Sequence, residues 1–396
     1  MGKIKNITAR EIKDSRGKPT LEVELETEKG SFVASVPSGA STGKNEALAV
    51  EAPKAIENVN EVIAPKVKGK DVVNQKELDR LMIDLDGTDN KSKLGANAIL
   101  GVSLAICRAG ANAEKLPLYK HIAKLSGNNL ALKCPLPRFN FIEGGAHADS
   151  GLDIQEFMAA PQEKTFAENL ALGNKVYQNL KEILEKNYGK DSIKMGLEGG
   201  FDANVKTAEQ ALLVLKNAIG ALNVKIALDC AASQFYKNGK YGLEGRELAR
   251  TELLEFYQNL AKTFSIISIE DPFDEEDWPG FEEITKEMGG KITIVGDDLT
   301  TTNIKRIREA HNKKACNGII IKLNQIGTLS ETIEAINMAK SFGWKTIVSH
   351  RSGETMDDFI ADLAVGTGVD FIKAGSPAKE ERMVKYRRLM EIEKEI

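Results

Sequence analysis

Six short apolar runs in the last two-thirds of the chain each give way to a residue able to do acid–base or metal chemistry. In order these are Asp229, Glu270, Asp297, Lys322, His350 (one place on, after Ser349) and Lys373. One charged residue after one strand is ordinary and is solvated or paired in most proteins; the same at six successive strand ends is not. Brought together, the carboxylates suit a hard divalent cation, and Mg²⁺ takes few protein oxygens, filling its remaining places with water and substrate. No His-x₃-His or Cys-x-x-Cys spacing competes for zinc. A lysine beside such a cation is expected to have a lowered pKa, as a general base requires. At the α-carbon of a metal-held carboxylate it would take a proton and leave an enediolate-like dianion, stabilised by the surrounding cations.

Convergence of these residues requires a fold that gathers strand ends. The apolar runs are 224–228, 266–269, 292–295, 318–321, 344–348 and 369–372, with helix-like stretches at 247–263, 303–312, 330–341 and 357–365 between them. Buried parallel strands separated by amphipathic helices form a βαβ series, and with room for two more units upstream a closed barrel is favoured over an open sheet. All C-terminal strand ends of a barrel meet at one mouth, where active sites are built. The first third reads differently. Residues 20–27 alternate Leu21, Val23 and Leu25 with Glu22, Glu24 and Glu26, a half-exposed strand that Gly30 turns into a second strand at 31–36. The small, hydroxyl-rich segment 37–43 reads as a connector, and helical patterning covers 47–67, 75–85 and 97–114. The expected fold class is α/β: a C-terminal (β/α)8-type, TIM-like barrel at 134–396 with a smaller α+β N-terminal capping and dimerisation domain at 1–133.

A chain of 396 residues, 42% hydrophobic and 28% charged, has ample core for two such units. Its net charge of −4, with both signs interspersed, argues against nucleic-acid or membrane partners. Attraction of an anionic substrate must therefore be local. The four cysteines, Cys107, Cys134, Cys230 and Cys316, are scattered and read as reduced thiols. With neither a signal peptide nor an apolar span, a cytoplasmic location is expected.

At these residues the sequence resembles the enolases, almost end to end. The resemblance is carried by 14–17, 38–43, 95–98, 144–148, 155–157, 268–273 and 297–300, and above all by Lys322-Leu323-Asn324-Gln325-Ile326-Gly327-Thr328 and Ser349-His350-Arg351-Ser352-Gly353-Glu354-Thr355. The resemblance implies a lyase interconverting 2-phospho-D-glycerate and phosphoenolpyruvate on an enolase-type barrel. It implies Asp229, Glu270 and Asp297 as ligands of one Mg²⁺ and Ser41, on a mobile loop, as ligand of a second that the substrate phosphate completes. Lys322 matches the base at C2 and Glu198 the acid at the C3 hydroxyl, supported by Glu156. Arg351 and Ser352 match a phosphate grip, for which a guanidinium fork is suited; His147, Gln155 and His350 line the pocket, and Lys373 faces the substrate carboxylate. A homodimer or octamer is implied, with Arg16 near Glu381 of a neighbouring copy.

Outside that resemblance, His147 reads equally as a loop histidine, Glu156 as a satisfied strand-end carboxylate and Glu198 as a turn residue. Asp271 and Asp298 read either as partners of the metal ligands or as helix caps. Two positions depart from the family pattern: Leu197 stands where Asp is usual beside the catalytic acid, and Glu143 where Asn is usual. Competing readings are a paralogue acting on another 2-phospho or 2-hydroxy acid and a weakly active scaffold protein. The second predicts loss of the base or metal ligands, and none is lost.

Overall fold

The computed structural model describes residues 2–40 and 42–396; Ser41, the expected ligand of a second magnesium, lies outside the described residues. The N-terminal third holds an antiparallel meander, β1 (Asn6–Lys13), β2 (Pro19–Thr27) and β3 (Gly30–Ser35), with Thr27 opposite Gly30 at the hairpin. Leu21, Val23 and Leu25 are completely buried, as their alternation predicts, and pack on a long apolar helix. Helices α1 (Ala52–Glu57) and α2 (Ala64–Val67) run through an intervening π-helical turn, followed by α3 (Gln75–Asp86), α4 (Ala96–Glu114) and α5 (Leu118–Ser126). Gly101 lets α4 approach β2 closely, since a Cβ there would lie 2.6 Å from Val23 Cγ2.

The sequence placed the first helix start at residue 47. It begins five residues later, because the amides of Ala47 and Leu48 are drawn to Gln325 O and Asn90 O, while Pro53 occupies the first turn, where its missing N–H costs nothing. Strand β1 and helix α5 were not anticipated: only Ile7 of β1 is fully buried, so the strand carries little alternation of its own.

The remainder is a closed eight-stranded barrel. Its strands are β4 (Leu136–Glu143), β5 (Glu156–Pro161) and β6 (Val224–Asp229), then, after a small sheet of β7 (Tyr236–Lys237), β8 (Lys240–Leu243) and β9 (Arg246–Leu248), β10 (Ile266–Glu270), β11 (Thr293–Gly296), β12 (Gly318–Ile321), β13 (Lys345–Ser349) and β14 (Phe371–Lys373). Around them lie α6 (Phe166–Tyr188), α7 (Ala208–Ile219), α8 (Arg250–Thr263), α9 (Trp278–Met288), α10 (Ile304–Lys313), α11 (Leu323–Ile326), α12 (Leu329–Ser341), α13 (Phe359–Thr367) and α14 (Glu380–Glu393). Val295, Ile320 and Ile347 pack with Phe371 as a separate apolar plug inside the barrel. All six apolar runs of the sequence fall on strands.

The expectation of a uniformly parallel series needs one correction. Strand β5 runs antiparallel to both neighbours, because the link from β4 carries only a short 3₁₀ turn (Gly145–His147) and no crossover helix. This reversal places Glu156, the first residue of β5, beside Asp229, the last of β6, at the same rim.

Candidate active site at the barrel mouth

Lys373, at the end of β14, stands among three carboxylates. Its Nζ lies 2.8 Å from Asp229 Oδ2, 2.8 Å from Glu270 Oε1 and 3.1 Å from Glu156 Oε2. Burial works against its charge, but Asp229, Glu156 and Glu270 outweigh that and raise its pKa well above the ordinary value. Burial and the Asp229 charge conversely push the Glu270 carboxyl well up.

Lys322 makes a short ion pair with Asp297, whose other oxygen accepts from Gln325 Nε2 at 2.9 Å. Desolvation would lower the pKa of Lys322, but the Asp297 charge prevails and raises it. Asp271 is not a helix cap; its carboxylate braces two strand ends by accepting the amides of Asp297 at 2.9 Å and Asp298 at 2.8 Å. Backbone strain follows the carboxylates. Ala231, Asp271, Thr301 and Thr302 all have left-handed φ between 41° and 53°, uncommon for non-glycine residues and frequent where a site dictates the local path.

The donor set fits a divalent cation. Asp229 and Glu270 are register partners at adjacent strand ends, both offer hard oxygens, and the fully buried Glu270 Oε2 has no hydrogen-bond partner among the described residues. The tightest groups of candidate ligand atoms, within 4.8 Å of one another, are Asp271–Asp297–Asp298 and His147–Glu156–Glu198. The expected trio is looser, with Lys373 between Asp229 and Glu270 and Lys322 on Asp297.

Glu198 lies on the loop between α6 and α7. Its Oε1 is 3.7 Å from His147 Nδ1, while its Oε2 is 3.1 Å from His350 Nε2 and accepts from Asn140 Nδ2 at 3.2 Å. Arg382 Nη1 donates to His350 Nδ1 at 2.6 Å, which leaves the imidazole proton on Nε2, facing Glu198. Burial and Arg382 hold His350 at about 4, so it stands neutral. Burial opposes charge on Glu198 as well, but His147, His350 and Arg382 together hold its carboxyl well below the usual range.

Arg351 is buried against Glu46, with Nη1 2.9 Å from Oε2 and Nη2 3.2 Å from Oε1, and it also donates to Asn324 Oδ1 at 3.0 Å. Ser352 Oγ accepts the amide of Ala40 at 2.7 Å, so the connector segment reaches directly over the expected phosphate grip. Gln155 Nε2 approaches Asp229 Oδ2 at 3.5 Å. Arg16 bonds within its own chain to Asp14 Oδ2 at 3.0 Å and Ser38 Oγ at 2.8 Å.

These side chains share one narrow, mostly polar cleft of about 30 Å³, with Glu270 held against its Lys373. The family model for the N-terminal domain of enolase matches residues 4–122, and that for the enolase C-terminal TIM barrel domain matches 131–396. The chain belongs to the enolase family.

In this enolase the cleft gathers His147, Gln155, Glu156, Glu198, Asp229, Asp297, Lys322, His350, Arg351, Ser352 and Lys373. Sequence reasoning overlooked Glu46, Asn140 and Arg382, which touch the site through partners remote in the chain. It noted Glu143 only as a departure, although the turn Gly196-Leu197-Glu198-Gly199-Gly200 folds directly onto its carboxylate.

Proposed function

We propose that this enolase is a phosphopyruvate hydratase, a magnesium-dependent lyase interconverting 2-phospho-D-glycerate with phosphoenolpyruvate and water in glycolysis and gluconeogenesis. The observation that carries this reading is the convergence of an amine (Lys322), a carboxyl set between two histidines (Glu198) and a buried guanidinium (Arg351) on one small polar cleft. Arg351 and Ser352 take the phosphate, Lys373 faces the substrate carboxylate, and His147 and Gln155 confine it. Lys322 Nζ removes the C2 proton, and Glu198 delivers a proton to the departing C3 hydroxyl, with Glu156 behind it.

Asp229, Glu270 and Asp297 would hold Mg²⁺, which would supply the positive charge that a developing dianion requires, and Ser41 would be a ligand of a second ion. The proton states suit this reading once ligands arrive. Lys322 is held protonated by the Asp297 charge and becomes a base when that charge is shared. The anionic substrate raises Glu198 toward the protonated form an acid needs. Four free cysteines accord with a cytoplasmic enzyme, and no helix among the described residues is long and apolar enough to cross a membrane. A homodimer or octamer completes the proposal. Glu143 favours a second reading, a paralogue taking another 2-phospho or 2-hydroxy acid.

Lys322→Ala is the direct test of the assignment. Turnover of 2-phosphoglycerate is lost while calorimetry still detects binding of magnesium and phosphoenolpyruvate. Wild-type turnover in that variant overturns the role given to Lys322.

A further inference from the structure

We infer that Glu143 is a positioning residue for Glu198, fixing the acid by holding the backbone on which it sits. This rests on the reading of Glu198 as the group that protonates the leaving hydroxyl. Glu143 ends β4 and is completely buried. Its carboxylate accepts the Glu198 amide, 3.2 Å from each oxygen, and the Gly200 amide at 2.6 Å on Oε1.

The turn is shaped around that carboxylate. A Cβ at Gly196 would fall 2.2 Å from Glu143 Oε2, and one at Gly200 would fall 2.9 Å from Oε1. The opposite side of the same turn is held separately. Leu197 donates to His147 O at 3.0 Å, Lys379 Nζ reaches Gly196 O and Leu197 O at 2.9 and 3.0 Å, and Glu198 O accepts from Ser376 N at 2.9 Å. Without Glu143, the Glu198 and Gly200 amides would be buried facing no acceptor, and the turn would be fixed from one side only. Both amides reach Oε1 and the Glu198 amide also reaches Oε2, so an amide side chain at 143 would turn one of the two acceptors facing the Glu198 N–H into a donor.

The location also couples the two carboxyls. Burial and the charge on Glu198 push Glu143 up to about 8, with Arg382 as the cation favouring its ionised form.

The test compares wild type with Glu143→Gln, which keeps length but loses an acceptor, and Glu143→Asp, which keeps charge but withdraws it by a methylene. For both, kcat on 2-phosphoglycerate falls about tenfold at nearly constant KM, since small displacements of a reacting group cost rate and not binding. Amide hydrogen exchange rises at 196–200 and stays unchanged in the barrel strands. Should Glu143→Gln fail to fold, Glu143→Asp carries the same expectation. An inactive wild type overturns the reading of Glu198 and this inference with it. An active wild type whose two variants keep kcat, or lose KM and kcat alike with exchange raised throughout, overturns this inference alone.

Discussion

Arg351 and Glu46, 305 positions apart, form a two-pronged ion pair buried beneath the N-terminal connector. The fork that is expected to take a phosphate therefore already holds a carboxylate, and the pair links the barrel mouth to the segment that covers it.

Removing that carboxylate leaves a buried guanidinium short of its counter-charge. Glu46→Gln is expected to destabilise the chain by about 3 kcal/mol, the scale of breaking a buried pair from one side. A bound phosphate would compensate, so phosphoenolpyruvate with magnesium should raise the melting temperature more in Glu46→Gln than in wild type. An equal or smaller ligand-induced gain in the variant would show that the phosphate does not meet Arg351.

Glu270 and Asp229 are two like charges crowded together on Lys373, an arrangement that favours a bound cation over the apo chain. Glu270→Gln is expected to leave metal-free melting unchanged or slightly raised. Its magnesium affinity, read by calorimetry, should fall at least about tenfold, as loss of one charged oxygen ligand implies. Wild-type magnesium binding in the variant would exclude Glu270 from the ligand set.

The two halves of the chain are joined by Arg108, whose Nη1 lies 2.6 Å from Asp357 Oδ2 and whose Nη2 lies 2.9 Å from Oδ1. Burial opposes ionisation of Asp357, but Arg108 outweighs it and lowers the carboxyl pKa in the folded state. The stability this contributes is complete above the unfolded carboxylate value of about 4 and is lost as pH falls through the lower folded value. Asp357→Asn should thus cost roughly 2 kcal/mol near neutrality, and its melting temperature should converge on that of wild type as pH drops below about 4. A gap independent of pH would remove the ion pair from the account.

What was legible in the sequence, and what was not, divides by the range of the interactions involved. The strand ends Asp229, Glu270, Asp297 and Lys322 could be read because an apolar run followed by a charge is a local signal. Strand β5 gave no sign of its direction, since that depends on how the 144–155 link packs. Helix α1 starts late because Ala47 and Leu48 hydrogen-bond to Gln325 and Asn90, partners that periodicity does not register. Glu46 and Arg382 were invisible for the same reason: each matters through Arg351 or His350, hundreds or tens of residues away.

The central claim is that Lys322 and Glu198 together remove water from a 2-phosphorylated hydroxy acid in a magnesium-dependent site. It is tested most directly by following phosphoenolpyruvate absorbance on adding 2-phospho-D-glycerate to the purified chain, with magnesium and then with the ion chelated. The account predicts rapid formation that stops on chelation and resumes when magnesium is restored. No formation in the presence of magnesium, or formation that chelation leaves untouched, would contradict it.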